Sequence, residues 1–533
     1  MKPPDAADTC TCTLETRLRL DLLSRIVASI VMLGIMCAGC TCTSFTRQPA
    51  SPPERITLLP IAGYNQDVDH WINPSRPDYD SPFLSQNLQR AQAKRLLARY
   101  FGTGRDDPSP WNPSYIEAEV YHADGADLAK LQHNRIDRFD NTQNPTDRIA
   151  YGQNFRPHTK AWIDDIARNV EPDQFTRTHT YAPANRAITT ANALVRLLPT
   201  MDPAFYDYRI PGEGYPFDNL QITAAHPGTP VYVLGTSQNG AWRYVRTPNV
   251  QGWVRSQDLG MVDEAFVARW RDAARAQPGA VVDASTSVRD TTNTFLFAPP
   301  VGTLLPIAAD SGTSYDVLVP VRTADGLAAI RTARIARTQI VPVPWPATPR
   351  HLATLMKTLI GRPYGWGNAG FYNDCSSELQ GIFAIFGLWL PRHSSAQLAA
   401  GQMIDLSAAS PAERLDYLMS HGRPMRTIVY VGAHVMLYLG NAVYGGKTVP
   451  LTYQDIWGLR PKDNSRRAVI GGSVILPLLP TIPEDPALIS LAAKPVFRIS
   501  ALGEVGLAAQ EECPPERGMS SAALPHIRSS LQK

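Results

Sequence analysis

Between Cys42 and Cys375 the 533-residue chain has no cysteine at all, and only Cys513 follows Cys375. A disulfide framework needs partners and a structural zinc site needs clustered ligands, so the body of the chain has the pattern of neither, and no metal or organic cofactor is expected. Charge of one sign is also missing: 51 basic side chains stand against 48 acidic ones, a net +3 with no basic block, which leaves no footprint for nucleic acid. Hydrophobic residues at 44% and charged residues at 19% are ordinary globular composition and exclude a disordered chain, a collagen or a coiled coil. Proline is abundant, at 46 residues, which favours loops, turns and short strands over long helices. At roughly 100–200 residues per domain the length suggests about three to five domains.

The other five cysteines, Cys10, Cys12, Cys37, Cys40 and Cys42, crowd the amino terminus. There Arg17, Arg19 and Arg25 precede an apolar run from Ile26 to Met36 that ends in small residues. Such a run is a secretory h-region, too short for the ~20 residues of a membrane span. Ala38-Gly39-Cys40 resembles a bacterial lipobox, whose cysteine receives the lipid anchor, although Cys37 stands where such boxes usually carry Leu. The resemblance implies a lipoprotein-type signal over 1–40 with Cys40 lipidated and a tether over 41–55. Thr41, rather than Asp, follows the cysteine, which implies an exported outer-membrane lipoprotein facing the periplasm, joined to the membrane through that anchor.

Residues 56–185 are rich in Asp, Asn, Pro and Trp, with one clear helix expected over Ser85–Tyr100. Its apolar face is expected at Leu88, Ala91, Leu96 and Leu97, and its role is packing against later domains. From 186 to 265 the pattern turns to short alternating strands: Val231 and Val233 alternate with Tyr232 and Leu234, Asn239-Gly240 marks a hairpin, and Trp242, Tyr244 and Gly252-Trp253-Val254 follow. This reads as a small closed barrel, and its ending resembles a bacterial SH3 (SH3b) domain. The two tryptophans are expected in the barrel core rather than on a ligand. A second strand-rich block over 266–345 is expected to be a second SH3b-like barrel.

The stretch YGWGNAGFYNDCSSEL at 364–379 runs from a glycine-rich loop into Cys375. Leu379, Ile382, Phe383 and Phe386 then fall at the spacing of one buried helix face, with Asp374 as N-cap. A helix N-terminus carries partial positive charge, so a thiol there is expected to be acidic and nucleophilic, with the first backbone N–H groups as oxyanion donors. A thiolate needs a base. The strand expected over Val429–Gly440 supplies His434, with Met436 and Tyr438 on its side and Val435, Leu437 and Leu439 on the other.

PYGWGNAGFYNDCSSELQGIF, LPRHSSAQ at Leu390–Gln397 and HVMLYLG resemble, in order, three segments of the NlpC/P60 cysteine peptidases. With the barrels upstream, the chain is similar to the γ-D-glutamyl-L-diamino-acid endopeptidases of that family. The resemblance implies a multidomain α+β protein: a papain-like catalytic domain over 346–480, two SH3b-like barrels, an N-terminal partly helical stabilising domain, and a tail over 481–533. It implies Cys375 as nucleophile, His434 as base and then acid, and Gln454, three before the Trp-Gly pair, as the orienting residue. Asp455 is the next candidate, although on a strand it faces the other way. Tyr364, Asp374 and Ser376 match positions that receive the free N-terminal L-Ala of a stem peptide, and for Asp374 the plain role of helix cap stands beside that one. The activity implied is hydrolysis of the γ-D-glutamyl–diaminopimelate bond of peptidoglycan stem peptides or muropeptides. The alternatives are a non-catalytic peptidoglycan-binding lipoprotein, for which Gln454 speaks, or an amidase or acyltransferase on the same fold.

Overall fold

The computed structural model describes residues 56–503, apart from 103, 122–125 and 177–179; the signal segment, Cys40 and Cys513 lie outside the described residues. Among these residues no helix is long and apolar enough to cross a membrane.

The chain opens with strand β1 (Ile56–Leu58) and a helical region whose main elements are α1 (Gln86–Phe101), α2 (Ala126–Arg138) and α3 (Lys160–Val170). Ser85 caps α1 through its hydroxyl, and Gly102 ends it at φ 62°. The buried face of α1 differs from the expected one. Leu96 is buried as expected, with Leu88 and Leu97 packed partly buried, but Ala91 is exposed, and Gln89, Gln92 and Ala93 are buried in its place. A glutamine can be buried here because its amide is satisfied: Gln89 Nε2 donates to the carbonyls of Trp345 and Phe386 at 2.8 and 2.9 Å, and its oxygen accepts from the Ala347 N–H. α1 is thereby bolted to the elements that carry the site.

Seven strands follow: β2 (Arg186–Thr189), β3 (Ala193–Arg196), β4 (Gln221–Ala225), β5 (Pro230–Thr236), β6 (Trp242–Arg246), β7 (Gln251–Arg255) and β8 (Leu259–Met261), in the order β4-β3-β7-β6-β5-β2-β8. Period-2 alternation sends Val231, Val233, Val245 and Val254 into the barrel core. It sends Tyr232, Trp242, Tyr244 and Trp253 outward into a separate core shared with the N-terminal helices. The expectation of barrel-core tryptophans is corrected accordingly: Trp253 Nε1 donates to Gln132 on α2 at 3.1 Å, and the rings fill the seam between barrel and helices.

Helix α4 (Glu264–Ala276) leads to a second antiparallel sheet of β9 (Pro278–Val281), β10 (Leu304–Asp310), β11 (Ser314–Arg322), β12 (Ala328–Ala336) and β13 (Ile340–Pro342), ordered β12-β11-β10-β9-β13. Its Gly302 loop lies on the backbone of Gly381; a Cβ at Gly302 would come within 2.5 Å of the Gly381 Cα, so neither position has room for a side chain.

The last region holds α5 (Pro349–Leu359), α6 (Cys375–Ile385), β14 (Gly401–Asp405), α7 (Pro411–His421), β15 (Thr427–Tyr430), β16 (Val435–Tyr444), β17 (Lys447–Leu459), β18 (Arg467–Pro477) and β19 (Arg498–Leu502). One seven-stranded sheet joins them in the order β1-β18-β17-β16-β15-β19-β14. Two findings differ from the sequence reading. The strand expected over Val429–Gly440 is a hairpin that turns at Gly432 and Ala433, both at positive φ. The segment expected as a tail from Thr481 returns to the sheet, where β19 pairs with both β15 and β14. Val435, Leu437 and Leu439 face α6, and Met436 and Tyr438 face the core under α7, as the alternation requires.

Candidate active site

The approach to Cys375 is fixed first. Tyr364 N–H donates to Gly471 O at 2.9 Å, and the loop beyond it passes through Gly367, Asn368, Gly370 and Phe371, all at positive φ. Such strain persists where the surroundings enforce it, and here the barrel does so. A Cβ on Gly367 would lie 2.9 Å from Gln221 on β4. Gln221 Nε2 donates to Gly367 O at 2.8 Å, and the Thr223 hydroxyl donates to Asn368 Oδ1 at 3.0 Å.

The loop delivers Cys375, 7% exposed, to the first turn of α6. Asp374 caps that helix by accepting from the Ser376 and Ser377 N–H groups, and Ser377 returns the bond to the Asp374 N–H. The carboxylate also takes the Gly367 N–H, the Ser376 hydroxyl and a two-pronged contact from Arg392 at 3.1 and 2.6 Å. Arg392 spends all five of its N–H donors: two on Asp374, the others on Ser376 Oγ, Asn368 Oδ1 and, at 2.6 Å, the Thr223 hydroxyl of the barrel. Of the two roles open to Asp374, its geometry is that of helix cap and counter-ion. Ser376 is buried in the same network, and Tyr364 stands beside the thiol.

His434 sits in the turn immediately before β16, where the Val431 N–H donates to its carbonyl. Ser394 reaches the Ala433 carbonyl of that turn at 3.2 Å, and Gln397 donates to Ser376 O at 2.8 Å. The LPRHSSAQ segment thus ties the cysteine helix to the histidine turn. His434 Nε2 meets Gln454 Oε1 at 2.7 Å, and Gln454 Nε2 donates to Thr452, whose hydroxyl donates to Leu476 O. This chain of donors leaves Gln454 only its oxygen for the imidazole, so Nε2 carries the hydrogen and Nδ1 is left with a lone pair. The backbone N–H of Val435, next to His434, lies against the Cys375 sulfur. Gln454 and not Asp455 therefore partners the histidine; Asp455 faces α6, 2% exposed, with neither carboxyl oxygen hydrogen-bonded among the described residues.

Electrostatics favours the neutral form of both the thiol and the imidazole. Burial pushes the Cys375 thiol up, aided by the Asp374 and Asp455 carboxyls, against the Val435 N–H and Arg392. This reverses the acidic thiol expected from the helix N-terminus, because burial, with the charge of the capping Asp374 added to it, outweighs the helix end. Burial presses His434 down to about 4, with Lys494 adding to the effect and Gln454 and Asp374 opposing it. Asp455 is raised to about 11 by burial, then by Glu378 and Asp374.

Sequence reading did not find Arg392 as the hub, although it lies within LPRHSSAQ. It also missed the wall formed by Phe217 with Trp366 and Trp457, at ring separations of 5.1 and 6.4 Å. Phe217 carried no periodic signal, because it belongs to an irregular stretch before β4.

Three family models match the chain: the NLPC_P60 stabilising domain, N term, over residues 29–175, an SH3 domain of the SH3b1 type over 203–255, and the NlpC/P60 family over 361–448. Among solved structures, a novel NlpC/P60 endopeptidase from Photobacterium damselae subsp. piscicida is similar at 27% identity and TM-score 0.71, covering 85% of this chain and 100% of that one. An NlpC/P60 family protein from Bacillus cereus matches at 19% identity and TM-score 0.39, over 57% of this chain and 98% of its own. No curated protein matches the chain. With the three matches in this order on one α+β chain, the protein carries an NlpC/P60 domain preceded by that family's N-terminal stabilising domain and an SH3b domain.

Proposed function

We propose that the protein is a thiol endopeptidase that hydrolyses the γ-D-glutamyl–diaminopimelate bond of peptidoglycan stem peptides or muropeptides. Two contacts support this reading: the His434 imidazole on Gln454, and the backbone N–H of the neighbouring Val435 on the Cys375 sulfur. The sulfur attacks the γ-carbonyl carbon while His434 Nδ1 takes the thiol proton. The C–N bond then breaks, His434 returns the proton to the leaving amine, and a thioester remains. Water, deprotonated by the same nitrogen, releases the γ-carboxyl group and restores the thiol. Asp374 occupies the Ser376 and Ser377 N–H groups. The Cys375 N–H, which opens the helix, is the donor free for the oxyanion.

Purified protein is expected to split L-Ala-γ-D-Glu-diaminopimelate between its second and third residues by mass spectrometry, and Cys375→Ala and His434→Ala are not. Turnover unchanged by Cys375→Ala would overturn the reading, and products cut at another bond would redirect it to an amidase or acyltransferase. The same reading anchors the protein through Cys40 to the outer membrane, facing the periplasm. Metabolic labelling with palmitate, present in the full chain and lost in Cys40→Ala, tests that part.

A further inference from the structure

Beyond the imidazole three cations, Lys494, Arg460 and Arg467, lie within electrostatic reach of one another. Arg460 follows β17 directly, Arg467 opens β18, and Lys494 follows the turn Leu491–Ala493. The segments are held together by backbone: the Ile489 N–H donates to Arg460 O at 2.9 Å, and Pro461 pairs with Leu488. Among the described residues Arg467 donates to the carbonyls of Asn464, Arg466 and Tyr208. The nearest acid, Asp207, is forked onto Arg209. Neither the Arg460 nor the Lys494 side chain has a hydrogen-bond or ion-pair partner among the described residues, and both are half-buried. Lys494 lies within electrostatic reach of both arginines and of His434. Burial and the two guanidinium groups press it down to about 8.

Holding like charges together partly out of water is unfavourable unless an anion joins them. We propose that Lys494, Arg460 and Arg467 form a subsite for a free carboxylate on the leaving-amine fragment of the substrate. This rests on the thiol-endopeptidase reading, because it is the proton handed over by His434 that places the leaving amine on this side. The ligand class is a diamino acid with an unblocked carboxylate, and a stem whose carboxylates are amidated fits poorly.

Two tripeptides test this, L-Ala-γ-D-Glu-diaminopimelate with free carboxylates and the same peptide with the diaminopimelate carboxylates amidated. The wild-type chain is expected to favour the acid form by about 10- to 100-fold in KM, the scale of a charge-assisted hydrogen bond. That ratio is expected to collapse toward one in Lys494→Met and Arg460→Gln and to return in Lys494→Arg. It should also fall above pH 8 in the wild type, as Lys494 loses its proton while Arg460 and Arg467 keep theirs and His434 stays neutral. A ratio of one in the wild type, or one that survives both substitutions, overturns the subsite. Calorimetry of free diaminopimelate with full-length Cys375→Ala separates the two readings. Binding that is lost on adding Lys494→Met supports the subsite even where no tripeptide is cleaved. Cleavage without either binding or preference sinks the subsite and leaves the endopeptidase standing.

Discussion

The two halves of the candidate site gather groups of different type, acids around the thiol and cations around the imidazole. Around the thiol stand the carboxyl groups of Asp374 and Asp455 with the Arg392 guanidinium, whose donors are all spent. Around the imidazole stand Lys494, its arginine neighbours and the uncharged amide of Gln454. Acids next to a cysteine disfavour the thiolate, and cations next to a histidine disfavour the imidazolium. Both halves therefore act in the same direction, and the resting pair is thiol and neutral imidazole rather than an ion pair. The halves differ in completeness as well. Asp374 and Arg392 on the thiol side form a closed network reaching from α6 into the barrel, whereas the imidazole side keeps Lys494 and Arg460 without side-chain partners among the described residues.

Breaking the closed side is expected to have the largest effect. Arg392→Met strands the buried Asp374 carboxylate, whose partner is equally buried, and urea unfolding is expected to show a loss of about 3–5 kcal/mol, as when one member of a buried pair is removed. Arg392→Lys should recover little, since an ammonium is a point charge and cannot span Asp374, Asn368 and Thr223 together. A loss below about 1 kcal/mol, the scale of an exposed pair, would mean the network is not closed.

On the imidazole side, Gln454→Ala removes the side-chain hydrogen bond that orients His434. The expected result is about a 100-fold fall in kcat on the tripeptide, the scale of a misplaced catalytic group, with KM and the urea midpoint little changed. Gln454→Glu puts a carboxylate against the Nε2 hydrogen and should raise the His434 pKa, moving the acid limb of kcat/KM upward from about 4. A kcat insensitive to Gln454→Ala would show that the imidazole is oriented without it.

How much of this was legible follows from the range over which each signal acts. The α6 face, its Asp374 cap and the alternation across β16 are local patterns, and they appear where the periodicity puts them. The family resemblance implied Gln454, three residues before Trp457-Gly458, and that relation is local too. What stayed hidden depends on contacts across hundreds of residues. The outward turn of Trp242 and Trp253 needs the N-terminal helices, the buried face of α1 needs the Trp345 and Phe386 carbonyls, and the return of β19 needs β14 and β15. The acidity of Cys375 was misjudged for the same reason. Helix position is readable locally, but the burial and the distant Asp455 that outweigh it are not.

Asp455 gives the smallest change in rate and the sharpest test of the charge sorting. Its folded pKa, about 11, lies far above the ordinary carboxyl value. Below pH ~4 folded and unfolded chains both hold the proton, and Asp455 then costs nothing beyond its unbonded burial. As pH rises the unfolded chain ionises while the folded one does not, so stability falls with pH, by at most about 1.4 kcal/mol per unit. Glu378, raised to about 7 by burial, adds a fall of the same sign that ends sooner. Asp455→Asn cannot ionise in either state, so urea midpoints at pH 5, 7 and 9 should fall less steeply than in the wild type. Turnover at pH 7 should stay near the wild-type value, because the carboxyl it replaces is already neutral there. A slope unchanged by the substitution would mean Asp455 is ionised when folded, and the thiol would then rest against a true negative charge.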